Sequence, residues 1–222
     1  MLAQAWLGVL SVVAMGSARS ASGFSLIELM VTLTVLGGLL MAVTPVVRDW
    51  MLDTEIRNAA ESISSGLARA RAEAVRRNEP VLFSLVANDA QPGTLDNNCT
   101  LSSTSASWVV SMNNPAGHCG DTLDSPTGPR LFARHARGDG APGVRVQSRD
   151  ETCANLTAVS QVLFNGYGRA ESLPAPIRCI VVSHPGSSTA RTLQVMLNAG
   201  GTVRTCDPAA TDPRDTRRCL VN

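Results

Sequence analysis

Between residues 24 and 47 the chain reads FSLIELMVTLTVLGGLLMAVTPVV, with Glu28 as its single charged side chain. Residues 29–47 carry no charge at all before Arg48 and Asp49 end the run. At about 1.5 Å of rise per residue, a helix of that length spans most of a bilayer's hydrocarbon core. The pattern then turns amphipathic. Leu52, Ile56, Ala59, Ile63, Leu67, Ala70 and Ala74 recur at steps of three and four, and Asp53, Glu55, Glu61, Arg69, Arg71 and Glu73 fall mainly between them. Arg76 and Arg77 lie where the helix dipole favours cations, and Asn78 and Pro80 close the pattern. One helix is predicted from about residue 25 to 78, apolar all round in its first half and striped in its second.

After Pro80 short β-rich runs alternate with turn residues. Strands are predicted near 81–86, 107–112, 131–135, 144–148, 161–165, 178–183, 192–197 and 202–205. Residues 87–106 and 113–129 are dominated by Asn, Ser, Gly, Pro and Asp, which predicts long surface loops. The fold class is therefore α+β, a long N-terminal helix packed on antiparallel β-sheets.

Composition narrows the function more than the fold. The 222 residues suffice for one globular domain plus an anchor. All 19 basic residues are Arg, which reads as genome composition, and the net charge of +1 gives no general case for nucleic-acid binding. His118, His135 and His184 stand in no motif that places a base beside a nucleophile, so no enzyme is expected. His118-Cys119 lacks partners at zinc-finger spacing, and neither a metal nor a cofactor is expected. The loops within 87–129 have room for a receptor site, but no residue pattern there specifies a ligand.

Six cysteines, at 99, 119, 153, 179, 206 and 219, all lie beyond the apolar block, as an oxidising compartment would allow. Sequence alone does not choose among the many pairings that six cysteines permit. The short loop with Pro208 and Pro213 favours Cys206 with Cys219. Cys99 with Cys119 comes second, and Cys153 with Cys179 is then the remainder.

Glu28 asks for an explanation: a mid-membrane acid costs roughly 2.5 to 3.5 kcal/mol on insertion scales, and its place near one end of the run lowers that cost without removing it. Ser22-Gly23-Phe24-Ser25-Leu26-Ile27-Glu28 closely resembles the type IV prepilin cleavage motif. That resemblance implies that a membrane prepilin peptidase, which is also an N-methyltransferase, cuts between Gly23 and Phe24. Phe24 then carries the methylated N-terminal amine, and Glu28 neutralises the amine of a neighbouring subunit during assembly. An amine and a carboxylate buried in an apolar filament core must be paired. An ordinary signal anchor with a chance acid is the competing reading. Pro45 matches a helix-bending proline common in type IV pilins, and Gly37-Gly38 weakens the helix at mid-span. The leader is unusual in its apolar run from Leu7 to Met15; a start at Met15 would give MGSARSASG, the more usual form, and leaves the cut unchanged.

The layout beyond residue 50 resembles the FimT/GspH branch of the pilin family. It is carried by Val162-Leu163-Phe164-Asn165-Gly166-Tyr167-Gly168-Arg169 and by Gly201-Thr202-Val203-Arg204-Thr205-Cys206. The resemblance implies a cleaved leader (1–23), a transmembrane and filament-core half-helix (24–50) and a periplasmic or extracellular domain (51–222). It further implies a single-pass protein of the bacterial inner membrane that joins other pilins or pseudopilins in a filament. The expected role is a minor pilin that initiates or tips a type IV pilus, with the minor pseudopilin of a type II secretion system as the alternative. Some FimT-like pilins capture DNA through a C-terminal G-R-x-R motif, and here Thr202 stands where its first Arg would be. Arg204, Arg214, Arg217 and Arg218 are the remaining candidate DNA contacts, but Asp207, Asp212 and Asp215 lie among them and leave a side-chain charge of +1 over 204–218. A solvated, disulfide-closed tail is the competing reading of that segment.

Overall fold

The computed structural model describes residues 24–150, 153, 158–171, 175–187 and 190–219; within the first helix it leaves the side chains of 42, 43, 45 and 46 undescribed. The leader, with Gly23 and both candidate start residues, lies outside the described residues. The chain divides into two units, one ending at Thr44 and one beginning at Pro45.

Helix α1 runs Leu26–Arg77. Its C-terminal end has a clear local cause. Asn78 adopts φ 54°, its N–H donates to Val75 O, and Glu79 N–H donates to Ala74 O at 3.3 Å. A left-handed residue with that bond pair closes the free carbonyls of the last turn. Glu73 holds both Arg76 (2.6 Å) and Arg77 (3.1 Å); burial pushes its carboxyl up, but the bonds and charges of the two guanidiniums together bring it below the usual carboxylate value.

In the second unit the helix buries Ile56, Ala59, Ala60, Ile63, Leu67, Ala70 and Ala74, while Leu52 is only half-buried. The first sheet contains β1 (Val81–Ala87), β2 (Thr100–Leu101), β3 (Ser107–Ser111), β4 (Leu131–His135), β6 (Gln161–Phe164) and β7 (Ala170–Glu171). Its order is β4-β3-β1-β6-β7, with β2 on the end of β1. The second sheet, built from β5 (Arg145–Arg149), β8 (Cys179–Ser183), β9 (Leu193–Leu197) and β10 (Val203–Cys206), runs β10-β9-β8-β5. All named pairings are antiparallel. One core cluster unites the helix stripe with Val81, Phe83, Trp108 and Phe164 of the first sheet and Val146, Ile180 and Val195 of the second. The α+β class and antiparallel sheets agree with the sequence reading. The two-residue strands β2 and β7 escaped it, being too short to show alternation.

The central position of β1 explains its unbroken apolar character. Val81, Phe83 and Leu85 pack in the helix-side cluster, whereas Val86 joins Val109, Leu131, Cys99 and Cys119 in a second one. The segments expected to be surface loops therefore cover the far face of the sheet, and a disulfide lies beneath them. Asn88 is buried and donates to Asp96 Oδ1 at 2.8 Å; Asn97 donates to Asp121 Oδ1 at 2.9 Å and accepts Gly120 N–H at 2.7 Å. Polar residues fold these loops because their side chains supply backbone partners that a strand would otherwise provide.

Candidate functional site

From Phe24 to Met41 every large apolar side chain is more than half exposed. Nothing in the first unit's described residues covers them. Glu28 is also exposed, sits in the first helical turn and has no ion-pair partner among the described residues. Its place there suits the positive end of the helix dipole. The threonines of this stretch are self-satisfied: Thr32, Thr34 and Thr44 donate their hydroxyls to Leu29 O, Val31 O and Leu40 O at 2.7–2.9 Å. A hydroxyl bonded within its own helix enters an apolar environment without an orphaned donor. Among the described residues no helix is long and apolar enough to cross a membrane. The helical backbone continues through Pro45.

The two C-terminal motifs meet each other at the second half of α1. Gly168 and Gly201 both have positive φ, 75° and 78°. A Cβ on Gly201 would stand 2.0 Å from Gly168 O, and one on Gly168 would stand 3.0 Å from Arg71 Nε. Arg71 Nε–H donates to that same Gly168 O at 3.1 Å, and Ala170 N–H donates to Ala199 O at 3.1 Å. The glycines are thus required by a backbone-on-backbone contact and by left-handed geometry together. This junction ties the first sheet's β6–β7 turn to the second sheet's β9–β10 turn and to the helix. A groove of about 650 Å³ lies beside it, lined by Ala68, Arg71, Ala72, Val75 and the Gly201–Val203 segment. Gly66 makes a comparable close approach, since a Cβ there would meet Trp108 at 2.8 Å and Phe83 at 2.9 Å. Trp108 is fixed by its indole N–H to Ser62 Oγ at 2.9 Å and by stacking on His135. The roles of Arg71, Ser62 and Gly66 carry no sequence signal, because their partners are distant in the chain.

Arg204 is exposed on β10, opposite Met196 of β9, and Arg214, Arg217 and Arg218 lie in the segment closed by the Cys206–Cys219 disulfide. Asp207 N–H donates to Arg217 O at 2.7 Å, which brings the returning segment back to the end of β10. Arg217 is not a free cation. Its guanidinium bonds both carboxylate oxygens of Asp215 at 2.8 and 3.1 Å, which raises its pKa and lowers that of Asp215. Arg204, Arg214 and Arg218 have no ion-pair partner among the described residues. The other disulfides join Cys99 to Cys119 and Cys153 to Cys179, with Cα–Cα distances of 6.1 and 5.3 Å.

The histidines serve the framework. His118 Nδ1 lies 2.9 Å from Asp121 Oδ2, and Asp121 is lowered from 3.8 first by Asn97's amide and then by His118. His184 Nδ1 accepts Gly186 N–H at 2.9 Å. Among the described residues no group of three or more His, Cys, Asp or Glu is placed to hold a metal ion.

Comparison with known proteins places this arrangement. A family described as type II transport protein GspH matches residues 59–201. A crystal structure of the type IV minor pilin FimU from Pseudomonas aeruginosa (strain PAO1) is 15% identical, covers 68% of this chain and 87% of its own, and superposes with a TM-score of 0.42. The solution structure of E. coli GspH is 12% identical, covers 72% and 94% respectively, and has a TM-score of 0.41. No curated protein matches the chain. The family match runs over more than half of the sequence, from the core-facing part of α1 through both sheets to the Gly201 turn, and the chain accordingly belongs to the GspH family of type IV pilin-like proteins, as a minor pilin or minor pseudopilin.

Proposed function

We propose that the protein is a minor pilin of a type IV pilus, anchored in the inner membrane by residues 24–50 and transferred into the filament to initiate or tip it. The exposed apolar stretch from Phe24 to Met41, with its single unpartnered carboxylate, carries this reading. So large an apolar surface is stable in water only when something covers it. Lipid covers it before assembly and the helices of other pilins cover it afterwards. Cleavage after Gly23 by the prepilin peptidase, with methylation at Phe24, creates the amine that Glu28 of a neighbouring subunit neutralises. Pro45 is the point where the helix bends during the transfer.

The experiment is Glu28→Gln in the native host. The variant is cleaved normally, but its amount in sheared filaments falls well below that of the unaltered protein. Normal incorporation would refute the pairing role.

A second reading, a minor pseudopilin of a type II secretion system, is favoured by the family's description. Gene deletion separates the two: loss of twitching with intact exoprotein release supports the pilus, and the reverse supports secretion. A contribution to DNA uptake would rest on Arg204, Arg214, Arg217 and Arg218. The Arg217–Asp215 pair reduces the charge they offer to phosphate. Titration of duplex DNA at low salt tests it, and absence of salt-sensitive binding removes DNA from the role.

A further inference from the structure

A polar cavity of about 180 Å³ opens between the 87–93 loop, the 102–107 segment and Arg137. Its lining is set by buried groups. Ser105 and Ser107 are 6% and 2% exposed, yet each hydroxyl oxygen only accepts: Ser107 N–H donates to Ser105 Oγ at 3.2 Å, and Arg137 N–H donates to Ser107 Oγ at 2.9 Å. Neither hydroxyl proton has an acceptor among the described residues. Buried hydroxyls ordinarily spend their donors, so two that do not, lining one cavity, leave room for an acceptor-bearing ligand. The half-buried Arg137 guanidinium likewise has no partner among the described residues. Asn88, 4% exposed, gives one amide N–H to Asp96 and retains a second. The single carboxylate in the lining is the exposed Asp89, which accepts rather than donates.

The cavity is also preformed. Gly138 N–H donates to Gly93 O at 3.2 Å, and a Cβ on Gly138 would stand 2.4 Å from that oxygen. The two loops that flank the cavity are therefore in backbone contact, and no side chain fits between them.

We propose that this cavity binds a hydroxylated carboxylate of about one hexose in size, the chemistry of a uronic acid. The carboxylate meets Arg137 with the Ser105 and Ser107 hydroxyls, as charge-assisted bonds require. Asp89 takes ligand hydroxyl protons, which a plain anion does not offer. The site would give the exposed domain a recognition function separate from assembly, because it lies away from α1's apolar stretch in sequence and uses none of its residues.

The test is calorimetric titration of the processed full-length chain in detergent micelles with D-glucuronate, beside D-glucose and acetate, followed by amide NMR shifts. Saturable glucuronate binding with shifts at 88–93 and 102–107 is expected, weakened about tenfold or more in Arg137→Gln and in Ser105→Ala. Loss of one charge-assisted bond is of that size, and unchanged thermal melts of the variants exclude unfolding as the cause. A short oligouronate bound more tightly, and equally dependent on Arg137, assigns the source to a polymer end. Glucuronate bound as well as the oligomer assigns it to a free sugar acid. The proposal is overturned by no saturable binding, by glucose or acetate binding as well as glucuronate, or by binding that neither substitution weakens.

Discussion

In Gly201→Ala a methyl group must enter the 2.0 Å gap in front of Gly168 O. Two costs add. A non-glycine residue at φ 78° loses about 1–2 kcal/mol to the left-handed conformation. Forcing an extra carbon into a packed contact costs about 1–3 kcal/mol, and here the obstacle is backbone. Relief by movement of Gly168 is blocked, since its own φ is 75°, its oxygen holds Arg71 Nε–H, and Arg71 stands 3.0 Å from where its Cβ would be. The expected loss is therefore about 2–5 kcal/mol of a total that is typically about 5–15 kcal/mol. In urea, with a slope of roughly 2 kcal/mol per molar, the midpoint should fall by about 1–2.5 M. Tryptophan fluorescence reports the transition, because Trp108 sits in the core. Gly200→Ala is the internal control: its Cβ would meet nothing nearer than Asn198 Oδ1 at 3.4 Å, and its midpoint should barely move. A Gly201→Ala protein within about 0.5 kcal/mol of the parent would refute the claim that the motif glycines are held by this junction.

Gly66→Ala should destabilise the domain by about 1–2 kcal/mol despite alanine's better helix propensity, because its methyl group collides with Trp108 and Phe83; Gly37→Ala and Gly38→Ala meet nothing within 4 Å and should not, as parallel denaturation curves will show. Removing the Cys206–Cys219 bridge by double serine substitution opens a 13-residue loop and should cost about 3 kcal/mol, with faster amide exchange at Asp207 and Arg218, while unaltered exchange would deny the bridge its role. Asp121 has a folded pKa held below 3.8, so its contribution is complete above that value and is lost as pH falls through the folded pKa; protection of the Gly120 amide should therefore drop only below about pH 4, and a loss beginning near neutrality would contradict the assignment.

Local pattern was enough to set the elements. A charge-free run, a three-and-four stripe and alternating β-rich segments are local signals, and they placed α1 and eight of the strands within a residue or two of where the structure has them. Most of the buried helix stripe was legible for the same reason, since a 3.6-residue period marks one face whatever it packs against. Ala60 and Gly66 were not, since both lie off the marked positions, and only the fold brings the Trp108 and Phe83 rings against Gly66. The purpose of the glycine motifs, by contrast, shows only in how distant segments pack. Gly168 and Gly201 lie 33 positions apart in the chain, and only the fold sets one against the other's carbonyl beneath Arg71. It also made an ordered cover of loops that composition assigned to solvent, by closing Asn88, Asn97, Asp96 and Asp121 into side-chain bonds across the Cys99–Cys119 disulfide. Such bonds depend on geometry between distant residues, and composition records only that the polar groups are there.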